Sequence, residues 1–216
     1  MNYYVATAFS FSIFLPGVLA AFLFVRIDRS YYPFLFCLWA GCINEVVSYY
    51  MIRSDGQNII NNNIYTLFES ILLMVYFLNA GLFRSKQIFY FVLALFAGFW
   101  IAENFILKNI NTGCTYFRIF SSLIITAMSI ESFNNILAGY VPRLLRNADF
   151  LLCTCFLIYF TYKALIQAFI IYGASRIQFF AAIYTIFIYI NLGVNLLYIP
   201  AVLWMHRKAR FILPLS

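Results

Sequence analysis

The sequence predicts an all-α polytopic integral membrane protein: a bundle of seven transmembrane helices, N-terminus outside and C-terminus cytoplasmic. Three observations carry that prediction. Of the 216 residues, 65% are hydrophobic and only 10% are charged, and the mean hydropathy is +0.89; an ordinary soluble domain is about 45–50% apolar and about 25% charged. Apolar stretches long enough to cross a hydrocarbon layer, about 20 residues each, recur between short polar gaps. The basic residues of those gaps also sort by side.

The spans fall at 3–25, 33–52, 64–83, 87–107, 114–140, 150–172 and 179–205. The first holds Pro16-Gly17 and is followed, not preceded, by Arg26 and Arg29, the reverse of a cleavable signal peptide's charge order, so it is expected to be retained. The intervening gaps are RIDRSYYP, RSDGQNIINNN, RSK, KNINTG, VPRLLRNAD and ASRIQ, and none is long enough for a folded domain. The last span contains Pro200, whose ring removes a backbone donor and crowds the carbonyl of Leu196, predicting a kink. Arg26, Arg29, Arg84, Lys86, Arg143, Arg146, Arg207, Lys208 and Arg210 fall on one side, against Arg53, Lys108 and Arg176 on the other. Nine against three makes the first side cytoplasmic, in a bacterial inner or plasma membrane. FESILL and FSSLII resemble each other at an offset of 52, but the match decays within a few residues, so residues 1–216 are read as a single domain.

Ionisable groups within the spans are the informative ones, since each costs about 2.5 kcal/mol or more at mid-bilayer and so turns inward to a partner. They are Glu45, Glu69, Glu103, Glu131, Arg118 and Lys163. Four carboxylates against two cations leave two without a basic partner. Those two are candidate proton-binding groups, because low dielectric disfavours an unpaired charge. The orientation places Glu69, Glu103 and Arg118 near outer helix ends, within reach of the interface by snorkelling. Glu45 and Lys163 lie deeper and are expected to pair, and Glu131 lies toward the cytoplasmic end as an inner proton station.

Positions three and four apart share a helix face. Glu45 therefore aligns with Gly41 and with Ser48 or Tyr49, and neighbours Asn44; Lys163 aligns with Tyr159 and Gln167; Glu69 with Tyr65, Thr66 and Tyr76; and Asn191 with Tyr184, Asn195 and Tyr198. Arg118, Ser122 and Ser129 share one side of the fifth span. Glu131 lies about 140° away, with Asn134 and Asn135.

These residues suit a small secondary or proton-coupled transporter whose Glu45, Lys163, Asn44, Asn191 and Asn195 line a midplane site. They also suit a seven-helix receptor with an outward pocket of Glu69, Glu103 and Arg118, signalling to a separate cytoplasmic partner, or an accessory subunit pairing its charges with another membrane protein. The expected partners are thus the lipid bilayer, a small-molecule or ion ligand and a membrane or cytoplasmic protein. Nucleic acid is not expected, since the 14 basic residues are scattered in ones and twos. No catalytic role, cofactor or metal is expected: the one His, His206, lies beyond the spans, no Asp lies within them, and no Walker or dinucleotide motif is present. Cys153 and Cys155 point about 160° apart on a helix and form no metal clip. In span number and size the chain is similar to the microbial rhodopsins, whose Schiff-base lysine belongs on the last helix; here that helix offers Asn191 and Asn195, and Lys163 is on the sixth. It is also similar in architecture to small sugar transporters of the PQ-loop type, but no Pro is followed by Gln.

Overall fold

The computed structural model describes residues 3–83, 85–139, 144–171 and 178–205. Arg84, Arg143, Arg176 and the tail from His206, on which part of the predicted charge sorting rests, lie outside the described residues. Among the described residues, every regular element is helical: α1 Tyr3–Ser10, α2 Phe14–Leu23, α3 Tyr32–Asp55, α4 Ile59–Asn79, α5 Lys86–Ile101, α6 Thr115–Ala138, α7 Ala148–Ile171 and α8 Gln178–Trp204. Arg29–Asp55, Lys86–Leu107, Ala148–Ile171 and Ala182–Trp204 are long and apolar enough to cross a membrane, by length and composition. A wholly helical chain is what an apolar medium selects, because a helix satisfies its own backbone polar groups where no water is present.

Two breaks in the helices follow from local chemistry. Phe11–Ile13, between α1 and α2, is a 3-10 turn; Pro16 has no N–H for the carbonyl of Ser12 and its ring crowds that carbonyl. Ala102–Leu107 continues α5 as a π-turn, and this wider turn carries two consecutive polar residues, Glu103 and Asn104, both buried. α8 remains helical through Pro200. α3 ends at Gly56, whose φ of 73° closes the helix with an N–H donated to the Ile52 carbonyl, a left-handed conformation that favours glycine.

α6 packs along α7, α7 along α8, and α3 along α4; α1 and α2 lie against α8. Close approach of the α1–α2 rod to α3 depends on small residues. A Cβ on Gly17 would meet Cys42 Sγ at 2.7 Å, and one on Gly41 would meet Ile13 Cδ1 at 2.5 Å. The main core joins α2, α3, α4, α7 and α8 through Phe34, Phe77, Phe156, Phe160, Tyr76 and Tyr198. A second core, centred on Met74, Phe89, Phe96, Cys114 and Phe117, joins α4, α5 and α6.

α4 begins at Ile59 and not near residue 64, because the polar run Asn61-Asn62-Asn63 is helical and faces partners instead of forming a linker. Asn61 Nδ2 donates to Asn44 Oδ1 (2.9 Å), the Asn44 carbonyl (3.3 Å) and Ser48 Oγ (3.0 Å), clamping α4 to α3. Hydrogen bonds between membrane helices average about 0.6 kcal/mol, so Asn61→Leu is expected to cost about 1–2 kcal/mol. Thermal unfolding of the detergent-purified protein measures it, and an unchanged melting temperature would remove the clamp from this account.

Candidate functional site

The earlier start of α4 moves Glu69 from a helix end to mid-helix. At about 1.5 Å per residue it sits about 15 Å from Ile59, and Lys163 sits about 12 Å from Ile171 on α7. The two meet: Lys163 Nζ and Glu69 Oε2 form an ion pair at 2.5 Å, with side chains only 11% and 6% exposed. Lys163 therefore pairs with Glu69 and not, as its depth suggested, with Glu45. Tyr65 OH donates to Glu69 Oε1 at 3.3 Å, and Lys163 Nζ also lies 5.2 Å from the Phe160 ring centre and 5.4 Å from that of Tyr159.

Burying two ions costs several kcal/mol each, offset only where further hydrogen bonds complete both groups. Here the ammonium has one hydrogen-bond acceptor among the described residues, while rings flank its other directions. The pair thus retains polar capacity, and its Glu69 side lines a cavity. That cavity, about 50 Å³, is lined by Glu69, Tyr65, Cys37 and Tyr159, with Asn191 and Asn195 opposite on α8. Asn195 is buried and donates to Ser12 Oγ at 2.9 Å, tying α8 to the 3-10 turn; Asn191 makes the more open wall. The volume suits a few water molecules.

A layer of aromatic rings closes one side of this cavity. Phe34, Phe156 and Tyr198 all line it, with Phe34 and Tyr198 centred 5.1 Å apart and Phe34 and Phe156 5.9 Å apart. Tyr76 packs on Phe34 and Phe156 and lines a second cavity, of about 350 Å³, together with Tyr31, Asp28 and Asp149. There Asp149 accepts from Tyr31 OH at 3.0 Å and from Tyr76 OH at 2.8 Å. Asp149 corrects the reading that no Asp lies within a span: α7 begins at Ala148, so Asp149 is in its first turn, where a carboxylate complements the helix dipole.

The remaining predicted residues disperse. Glu103 is 1% exposed and pairs with Lys108, which turns back from its loop at 2.8 Å; it also accepts from the Tyr116 and Phe117 amides. All three of these contacts serve the α5–α6 connection. Asn44 is buried and held by Asn61. Glu45 is half-buried and has no ion pair among the described residues. Glu131 does not face the interior: it is exposed on the outer surface of α6 with Asn134 and Asn135, because the α6 face that packs inward is the one carrying Ser122, Ile125 and Ser129. Arg118 donates through Nη2 to Asn63 Oδ1 at 3.2 Å.

Asn63 is the residue that sequence reasoning passed over. It is fully buried, donates to Asn104 Oδ1 and to the Ile110 and Thr112 carbonyls, and accepts from the Cys114 amide as well as Arg118. Its own carbonyl takes the Trp100 indole N–H at 2.9 Å. No family model, curated protein or solved structure matches the chain.

Proposed function

We propose that the chain is a multi-pass protein of a bacterial inner or plasma membrane, crossing seven times with its N-terminus outside, and that it is a small secondary or proton-coupled transporter of a small solute. α4 and α6 cross with their more apolar neighbours, because each packs along a helix long enough to span. The observation that carries the transport reading is the Glu69–Lys163 ion pair: under-coordinated, with Glu69 lining a cavity that a ring layer separates from a second polar cavity. Polar stations on both sides of an apolar barrier are what alternating access requires. In this reading Glu69, held by Lys163, and Asn191 hold the solute, Phe34, Phe156 and Tyr198 form the barrier, and Glu45, half-buried and with no ion pair among the described residues, carries the proton.

The small volume of the central cavity favours one other reading, a sensory module that binds a ligand without passing it and signals to a separate protein. The exposed Glu131 suits contact with a partner protein in either case. Proteoliposomes loaded with a pH-sensitive dye separate the readings. Transport predicts that one or more of a panel of small solutes drives proton flux, that Asn191→Ala lowers the flux about tenfold through loss of a polar contact, and that Glu45→Gln uncouples it. Saturable ligand binding with no flux from any solute would replace transport with sensing.

A further inference from the structure

Most hydroxyls within the helices return to their own backbone. Thr66, Ser70, Ser129 and Thr154 each donate to the carbonyl four residues back, at 2.7 to 2.8 Å. Ser122 and Thr126 do not: their hydroxyl oxygens are buried and have no partner among the described residues, and the same holds for Arg118 Nε. Residues 118, 122 and 126 are four apart, so these groups form one line along α6. Ser122 is 0% exposed. Buried polar groups are almost always satisfied, and three orphans in register point to something they hold.

Charge identifies the missing partner. Both ion pairs among the described residues, Lys108–Glu103 and Lys163–Glu69, are internally neutral, whereas Arg118 bonds the neutral Asn63 oxygen and Cys114 and has no carboxylate partner among the described residues. The first-turn amides of α6 are already taken by Glu103, so the helix N-terminus is not what would bind. A guanidinium presents a planar donor fork that matches a carboxylate, and hydroxyls one and two turns further along extend the donor line.

We infer that Arg118 and Ser122, with Thr126 one turn beyond them, form an anion-binding site for a small carboxylate, distinct from the Glu69–Lys163 pair. Trp100 is a built-in reporter, because its indole donates to the Asn63 carbonyl while the Asn63 side chain holds Arg118. Detergent-purified full-length protein carrying Trp39→Phe and Trp204→Phe is titrated with sodium acetate, and in parallel with sodium chloride at matched ionic strength. The expected result is a saturable change in Trp100 emission with acetate and a much weaker one with chloride. Arg118→Gln should abolish the acetate response, and Ser122→Ala should weaken binding about tenfold, the usual loss for a hydrogen bond to a charge. Ser122→Ala should also raise the melting temperature of the anion-free protein, since it removes a buried hydroxyl that is bonded to nothing. Asn191→Ala should leave acetate binding intact, so failure here is distinguishable from failure of the transport reading. No saturable acetate response, a response that survives Arg118→Gln, equal responses to chloride and acetate, or undiminished binding in Ser122→Ala would overturn the site.

Discussion

Glu69→Gln is expected to destabilise the protein by about 3–5 kcal/mol, the cost of leaving one member of a buried ion pair without its counterion. Gln keeps one acceptor oxygen where Glu69 uses two, Oε1 for Tyr65 and Oε2 for the ammonium, and Lys163, about 12 Å from the end of α7, keeps no counterion. Its contacts with the Phe160 and Tyr159 rings return at most about 2 kcal/mol. Lys163→Met should cost less, because Glu69 then keeps the Tyr65 hydroxyl. The double variant Glu69→Leu, Lys163→Met removes both desolvation penalties and should recover most of the stability, as apolar replacement of a buried pair often does. Thermal unfolding in detergent of the wild type, Glu69→Leu, Lys163→Met and the Glu69→Leu, Lys163→Met double variant closes a mutant cycle, and the same measurement on Glu69→Gln reads its loss. A coupling energy near zero would mean that the pair is not an energetic unit, and the candidate site would lose its centre.

That pair illustrates what a sequence of this kind hides. Composition and punctuation were enough for the helical, membrane-like class, and helical spacing correctly grouped Lys163 with Tyr159 and Asn191 with Asn195. The partner of Lys163 was not legible, because it depended on where α4 begins. Asn61 and Asn63 resemble linker residues in one dimension; only their acceptors, Asn44 and Ser48 for one and the 110–112 carbonyls for the other, make a polar triplet a helical turn. Moving that boundary by about one turn carried Glu69 from the snorkelling zone to the middle of the bundle. Asp149 was lost for the same reason, one residue outside the predicted span. Glu131 failed differently: the spacing placed it on the correct face of α6, but which face packs inward is a property of the neighbouring helices. The orphan line on α6 was half visible, since Arg118 and Ser122 share a face, but an unsatisfied hydroxyl can be recognised only once all its neighbours are placed.

Glu103 is expected to be the other position of large effect, and its three contacts make unequal contributions. The carboxylate accepts from the Tyr116 amide at 3.0 Å and from the Phe117 amide, both first-turn donors of α6 with no intrahelical acceptor, and from Lys108 Nζ at 2.8 Å. Glu103→Ala orphans two backbone donors at about 1–3 kcal/mol each and also removes an anion from a helix N-terminus, so the loss should reach about 3–5 kcal/mol. Glu103→Gln keeps one acceptor oxygen and should cost about half as much. Lys108 is 29% exposed on its side chain, and solvent screens its share of the pair, so Lys108→Met should cost under about 1 kcal/mol. The ordering is the test: Ala worst, Gln intermediate and Lys108→Met near wild type in melting temperature, with hydrogen exchange accelerated at the Tyr116 and Phe117 amides in the Ala variant. If Lys108→Met proved as damaging as Glu103→Ala, the ion pair and not the amide cap would join α5 to α6. Because the π-turn Ala102–Leu107 directs Glu103 and Asn104 inward together, the same loss should loosen Asn63 through Asn104. Trp100, bonded to the Asn63 carbonyl, should report that loosening as a shift in emission even where the helix content is unchanged.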